Sequence, residues 1–494
     1  MPPTTSERIA DFLERRRYLV LAALTLVYAA GVAGRAAARP FWYDEIITLV
    51  AARATNLGEC LKAALVIDAN PPLPHLATHL AIRWFGLTEV TARLPAMAGF
   101  WVFCLSLFAF VRRRKGTLFG FCALLLPLIT DALPYATEAR AYGMELGFCG
   151  IALLAWQAAA EGRSRAAALP VLSISLAAIL LCHYYGALVY LPLGVAELVR
   201  ARRTRRLDFG IAIAMAIGAA PLAWRAVAVM GAVQGFAHGW ASAYLRQGIE
   251  FWETGLVHGS AYLALLVGLL ALAGRPAKSV DAGDPVPGYE WAAGAVFVAC
   301  PLIAVIAAVF VTHAFTPRYA ILGLTGVCIL APMLAAEFAG VRSRTGALML
   351  LVLAWGALLT LIDHPAPRNP FAEEAHLAKA LEQGPVVIPD GQLFLQMWHY
   401  APERLKPRIL FLSDEAAAIR YMGFNTIDGG LPPLRAYTSI GVVDYREFAA
   451  SHREFLVYRN LNRPEWVTPR VLDEGASVEV LKTGLGRELV RVRQ

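Results

Sequence analysis

Apolar stretches of roughly 18–22 residues recur along the first 362 positions, each long enough to cross a bilayer as a helix. The pattern predicts spans at 18–38, 91–111, 117–134, 142–160, 166–182, 185–199, 208–228, 256–274, 290–311, 319–338 and 345–362, eleven crossings in all. Between the first two lies a long loop, 40–90. Inside it, "PPLPHLATHLAIRWFG" (71–86) is apolar but short, and it carries His75, His79 and Arg83. That combination predicts an interfacial or re-entrant helix rather than a crossing. After residue 362 the pattern changes. "DHPAPRNP" reads as a linker. "FAEEAHLAKALEQ" reads as a helix, with Phe371, Ala375, Leu377, Ala378 and Leu381 apolar. "PVVIPD", "PRILFLSD" and "EFLVYRN" are short strand-like runs, and "ELVRVR" alternates. Helices alternating with strands imply a small α/β domain. The predicted fold is therefore an all-α polytopic membrane domain over 1–362, followed by an α/β extracytoplasmic domain over 363–494.

Charge orients this picture. Basic clusters stand at 15–17, 112–115, 163 with 165, 200–206, 275 with 278, and 342 with 344. Placing all six on the cytoplasmic side gives a consistent path, with the N-terminus inside and the C-terminal domain outside. The stretch "RRRYLVLAALTLVYAAGVAG" is too long for a signal h-region and lacks a cleavage site, so it reads as the first span. Of 494 residues, 58% are hydrophobic and only 17% charged, against about a quarter in soluble chains. The net charge of +8 does not mark a nucleic-acid surface, because residues 364–494 hold 16 basic and 16 acidic side chains. The excess sits in short membrane loops. The seven cysteines show no metal-type spacing and read as small hydrophobes. No fixed-period repeat is visible.

Polar clusters fall at the outer ends of the spans. They are "FWYDEIIT" with Asp44 and Glu45, "DANPPLPHL" with Asp68 and Asn70, "PYATEARAYG" with Glu138, Arg140 and Tyr142, "THAFTPRYAILG" with Arg318 and Tyr319, and "CHYYG" with His183. Ionisable groups at membrane depth usually line a cavity or pathway. Each also has a plainer use. Trp42 fits an interfacial belt, and Asp44 fits a helix N-cap. Pro71 and Pro72 fit a helix start. Arg140 and Arg318 could snorkel to headgroups, and His183 fits a core or belt histidine. His75 and His79, four apart without an HExxH carboxylate, read as a solvated polar face rather than metal ligands.

Taken in order, "YDE", "NPPLPHLATHLAIRWFGLTEVTARLPAMAGF", "YATEARAYG" and "PRY" resemble the GT-C membrane glycosyltransferases, in particular the protein O-mannosyltransferase and lipid A aminoarabinose transferase superfamily. The similarity is strongest over 40–145. Asn70 stands where the family usually has His, and Pro74 and His75 replace a usual pair of tyrosines. The resemblance implies a multi-pass protein of the bacterial cytoplasmic (inner) membrane. It implies a sugar donor on a polyprenyl phosphate, used at the outer face with inversion, and a lipid, glycan or protein acceptor. By the same resemblance Asp44 is the general base and Glu45 helps shape the site. Arg140 and Arg318, with Tyr142 and Tyr319 beside them, are the donor-phosphate candidates, since guanidinium forks suit phosphate oxygens. Asp68, Asn70, Glu138 and His183 are acceptor or metal candidates. A divalent cation, which some relatives hold near the first-loop acids, is the one cofactor admitted.

Two other function classes compete. A transporter or flippase of lipid-linked sugars predicts mid-membrane charge and broken helices in both halves, whereas the charges here lie near outer ends. A catalytically silent envelope-binding relative predicts loss of Asp44, which is present.

Overall fold

The computed structural model describes residues 4–68, 70–224, 241–256, 265, 268, 283–484 and 486–494. In chain order the main helices are α1 (Thr5–Ala38), α2 (Tyr43–Ala52), α3 (Leu57–Ile67), α4 (Leu73–Phe85), α5 (Glu89–Leu125), α6 (Ala141–Ala160), α7 (Arg165–Cys182), α8 (Tyr190–Thr204), α9 (Phe209–Gly218), α10 (Gln247–Gly255), α11 (Gly288–Ala307), α12 (Leu324–Ala339) and α13 (Arg344–Ile362). Six strands and further helices follow. The chain divides into two compact units. One comprises Met1–Ala36, Arg93–Val229 and Ala243–Pro365, and the other Ala37–Ala92, Met230–Ser242 and Ala366–Gln494.

The first unit is helical. Among the described residues, seven helices are long and apolar enough to cross a membrane. The sequence reading expects eleven, and the difference has local causes. The expected spans 91–111 and 117–134 fall in one 41-residue apolar run, Glu89–Ile129. That run breaks at Gly116, whose φ of 76° interrupts the helix. A Cβ on Gly120 would lie 3.0 Å from the Phe108 carbonyl oxygen. Twelve residues of unbroken helix would span about 18 Å, so the chain reverses here, and the run holds two antiparallel passes. The 185–199 stretch begins as a 3₁₀ helix (Tyr184–Val189) before α8, and the 208–228 stretch gives a shorter apolar helix, Phe209–Trp224. The expected span 256–274 and the basic pair at 275 and 278 lie outside the described residues.

Small residues set the tightest crossing in this unit. Gly143 and Gly147 of α6 face Ala96 and Gly99 of α5. A Cβ at either α6 position would meet α5 backbone oxygen at 2.4–2.5 Å. Such a small-xxx-small stripe lets two helix backbones touch where lipid supplies no hydrophobic drive between helices.

One end of the helical unit gathers the basic clusters. Arg114 at the α5 reversal meets Glu290 in the first turn of α11 and Glu161 after α6, each at 2.5 Å. Gln157 also donates to Glu290, at 3.2 Å. Arg165 of α7 and Arg200 of α8 share Asp208 before α9, at 2.7 and 2.9 Å. Lys115 meets Glu337 of α12 at 2.6 Å, and Arg342 lies 3.5 Å from Asp11. Clusters that the charge pattern places on one side thus do share one end. At the opposite end the buried Arg93 donates to the Ala36 carbonyl at 2.6 Å, and Arg35 donates to the carbonyls of Thr360 and Asp363. These are carbonyls at helix C-termini, which cations favour. The seven cysteines are all buried and unpaired.

The second unit is built on a sheet of order β3-β2-β1-β4-β6-β5. Its strands are β1 (Val386–Val387), β2 (Ile409–Ser413), β3 (Val442–Asp444), β4 (Glu454–Asn460), β5 (Ser477–Gly484) and β6 (Arg487–Arg493). β1 to β4 pair in parallel, while β6 runs antiparallel to both β4 and β5. One core layer collects Val387, Leu412, Tyr445, Phe448, Val457, Trp466 and Val490. Elsewhere Phe394 of α15 packs on Phe411 of β2, ring centroids 5.4 Å apart. Here α14 is Ala375–Gln383 and α15 is Gly391–Tyr400. The four strands expected from sequence are present, and β3 and β5 are additions. Phe371, expected in a helix, lies in a turn before α14. α2, α3 and α4 belong to this unit.

Candidate functional site

The sequence-predicted residues form two groups, one in each unit. In the second unit, Trp42 is extended (φ −110°, ψ 176°) and starts α2. Glu45 occupies the third helical position, and its carboxylate accepts from the Trp42 backbone N–H at 3.4 Å. The capping role considered for Asp44 therefore falls to Glu45, which is fully buried. Asp44 sits half-buried in the first turn, where the helix dipole favours a carboxylate. Its backbone carbonyl accepts from Thr48. The preceding segment is fixed by α15. The Phe41 N–H donates to the Tyr400 hydroxyl at 2.7 Å, and Gln396 donates to the Phe41 carbonyl at 2.9 Å. Burial, then the carboxylates of Asp44, Asp428 and Asp68, push the Tyr43 phenol well above its ordinary range. Tyr43 therefore stays protonated among acids.

Asp68 and Asn70 organise the entry to α4. Asp68 Oδ1 accepts from both the backbone and side-chain amides of Asn70, at 2.9 and 2.8 Å, and Oδ2 lies 3.2 Å from His75 Nε2. His79 Nδ1 lies 2.8 Å from the Ala52 carbonyl oxygen. Both histidines are buried, at 2% and 4% exposure, which overturns their reading as a solvated face. The reason is that α4 packs against α2 and α3 and turns its histidines toward them, while Trp84 and Phe85 at its end stay exposed. Exposed aromatics there match the interfacial helix expected over 71–86. Among the described residues no three His, Cys, Asp or Glu side chains converge as metal ligands. Asp68 is instead engaged with Asn70 and His75, so the residues present do not fit the cation that the resemblance admits, and no step is routed through one.

In the first unit, Arg140 is extended and starts α6, its N–H donating to the buried Glu138 carbonyl at 2.8 Å. Two residues on, Tyr142 is buried and opens a chain of rings. Its centroid lies 5.0 Å from Tyr135 and 5.5 Å from His183. His183 lies 4.9 Å from Tyr319, and Tyr319 lies 5.0 Å from Tyr185. Tyr185 donates to the Ala314 carbonyl, and His183 Nδ1 accepts from the Tyr185 N–H. Arg318, adjacent to Tyr319, lines a cavity of about 200 Å³ with Asp131, Tyr135, Phe251, Thr254, Pro317, Ile321 and Leu324. One end of the helical unit thus brings Glu138, Arg140, Tyr142, His183, Arg318 and Tyr319 together. Sequence reasoning did not single out Tyr135 and Tyr185, although both stand inside clusters it quoted. Asp131 closes an apolar run, which is a weak signal. Phe251 and Thr254 gave none.

No family model matches the sequence, and no curated protein is significantly similar to it. Solved structures do match. ArnT from Cupriavidus metallidurans in the apo state superposes with a TM-score of 0.59 at 12% identity, covering 96% of this chain and 97% of the other. The same protein bound to undecaprenyl phosphate superposes with a TM-score of 0.60 at 14% identity, with the same coverage. The fold is that of ArnT. At this identity the likeness speaks for architecture over nearly the whole of both chains, the multi-helix part and the C-terminal sheet alike. The ArnT-like fold is the one the sequence resemblance implies.

Proposed function

We propose that this ArnT-like chain is a membrane glycosyltransferase. It moves a sugar from a polyprenyl-phosphate donor to an acceptor hydroxyl at the outer face of a bacterial cytoplasmic membrane. The observation that carries this is the Arg318 cavity, walled by the Tyr135–Tyr142–His183–Tyr319 rings, in a fold whose solved counterpart holds undecaprenyl phosphate. In this reading the basic end of the helical unit faces the cytoplasm, with the N-terminus, and the C-terminal sheet lies outside.

The chemistry follows from the residues. The Asp44 carboxylate takes the proton of the acceptor hydroxyl as its oxygen forms a bond to the anomeric carbon. The bond from that carbon to the phosphate oxygen breaks, and the configuration inverts. Negative charge grows on the departing polyprenyl phosphate, and Arg140 and Arg318 stabilise it with charge-assisted hydrogen bonds. Tyr142 and Tyr319 pack beside them. Glu45 holds the first turn of α2 and so positions Asp44, and Asp68 with Asn70 fixes the entry to α4.

The test is complementation of a deletion strain. Wild type restores the missing envelope glycan or glycolipid, and Asp44→Asn at equal membrane abundance restores less than about 1% of it, given the 10²–10⁴-fold worth of a general base. Restoration by Asp44→Asn to the wild-type level would remove the base assignment.

A further inference from the structure

The parallel strands of the second unit follow the order β3-β2-β1-β4. The chain leaves β1 toward β2 and β3, then returns to place β4 on the other side of β1. The connections after β1 and after β4 therefore diverge and leave a crevice at the carboxyl ends of these two strands. Open α/β sheets bind ligands at such a switch point. A cavity of about 360 Å³ lies there, within the ~300–1,000 Å³ typical of small-molecule sites. From the β1 side it is lined by Asp390, Gln392, Leu393 and Gln396. Asn460 and Arg463 follow from β4, Arg487 from the neighbouring β6, and Arg39, Trp42 and Tyr43 from the segment leading into α2.

The lining defines the ligand. The N-terminus of α15 is not the anion seat, because Asp390 Oδ1 already accepts from the backbone N–H groups of Gln392 and Leu393. The other oxygen, Oδ2, accepts from Asn460 at 3.1 Å and faces Arg463 at 3.8 Å. Asp390 is thus a buried post that orients an amide and a guanidinium. Arg463 is about half exposed at the cavity. Arg487 pairs with Glu374 behind the wall. Three guanidinium groups against these two carboxylates leave one positive charge. Planar amides, a carboxylate and guanidinium forks suit vicinal hydroxyls, which both donate and accept, and Trp42 offers a ring face.

We infer that the switch-point cavity binds an anionic saccharide, a sugar ring carrying a carboxylate or phosphate. Trp42 and Tyr43 immediately precede Asp44, so this sugar is the part of the acceptor held beside the base. That assignment as acceptor rests on the proposed function; the binding itself does not. The test uses the full chain in lipid nanodiscs and saturation-transfer NMR with glucuronic acid and glucose 1-phosphate. Glucose and inorganic phosphate serve as controls. Both anionic sugars bind saturably at millimolar concentration, at least tenfold more tightly than either control. Arg463→Gln and, independently, Arg39→Gln weaken them about tenfold, while Asp44→Asn leaves binding intact. Equal binding of glucose would overturn the anionic requirement, and equal binding of phosphate would overturn the saccharide. Unchanged affinity in both arginine variants would overturn the site. If wild type transfers sugar without binding these probes, the cavity assignment fails alone. Binding without any transfer activity leaves the cavity standing and removes the glycosyltransferase reading instead.

Discussion

The two ends of the helical unit use arginine differently. At the basic end, Arg114 bridges Glu290 and Glu161, and Arg165 and Arg200 share Asp208, so each guanidinium ties two or three helices through carboxylates. At the other end, Arg318 lines a cavity beside a chain of aromatic rings. Charge at the first end is consumed in holding helices together. At the second it is aimed at space large enough for a ligand. Counting basic residues along the sequence does not separate these uses, because both ends have Arg near apolar segments. What separates them is whether the acids that neutralise the cation belong to neighbouring helices or whether the cation borders a cavity.

Two substitutions would break that contrast if it is wrong. Glu290→Ala removes the fully buried partner of Arg114 while Glu161 remains. It should destabilise the helical unit by roughly 3 kcal/mol, the lower end for a broken buried pair. Thermal unfolding of the detergent-solubilised chain measures it, and an unchanged midpoint would show that the basic end is not an architectural lock. Arg318→Ala should do the reverse. Its unfolding midpoint stays near wild type, and its affinity for undecaprenyl phosphate, read by native mass spectrometry, falls about 10–100-fold, the worth of one charged hydrogen bond. A large loss of stability with unchanged lipid affinity would place Arg318 with Arg114.

Much of this division is legible in the chain itself. The hairpin at 112–116, the shared side of the basic clusters and the short helix over 71–86 follow from apolar run length and charge position. The residues of the aromatic chain are quoted in three separate motifs, but ring contact is a tertiary fact that no local pattern reports. The burial of His75 and His79 was missed for the same reason. Spacing of four puts two side chains on one helix face without saying what that face meets. β3 is three residues long, and β5 is an edge strand with mostly exposed side chains, so neither shows the apolar signature that marks β1, β2 and β4. Phe251 and Thr254 reach the cavity from α10, a short helix without any motif.

The second unit offers a third use of buried charge, an acid that does best uncharged. Asp428 is buried, and burial pushes its carboxyl up to about 7, against the pull of its hydrogen bonds from Trp466 Nε1 at 2.9 Å and the Asp414 N–H at 3.3 Å. An ordinary aspartate ionises near pH 3.9. Between about pH 4 and 7 the folded chain therefore keeps a proton that the unfolded chain has released. Stability from this group is fully present below pH 4 and is lost as pH rises through 7, with a slope of at most roughly 1.4 kcal/mol per pH unit. Asp428→Asn retains an oxygen to accept from Trp466 and cannot ionise, so it should flatten that slope. Hydrogen exchange at the amides of β1, β2 and β4, followed from pH 4.5 to 7 in the full chain and corrected for intrinsic exchange rates, reads the effect strand by strand. Protection that falls equally in wild type and Asp428→Asn would assign the pH dependence to another group. Protection that falls only in wild type would set Asp428 apart from Arg114 and Arg318 alike, as a charge this fold is built to suppress.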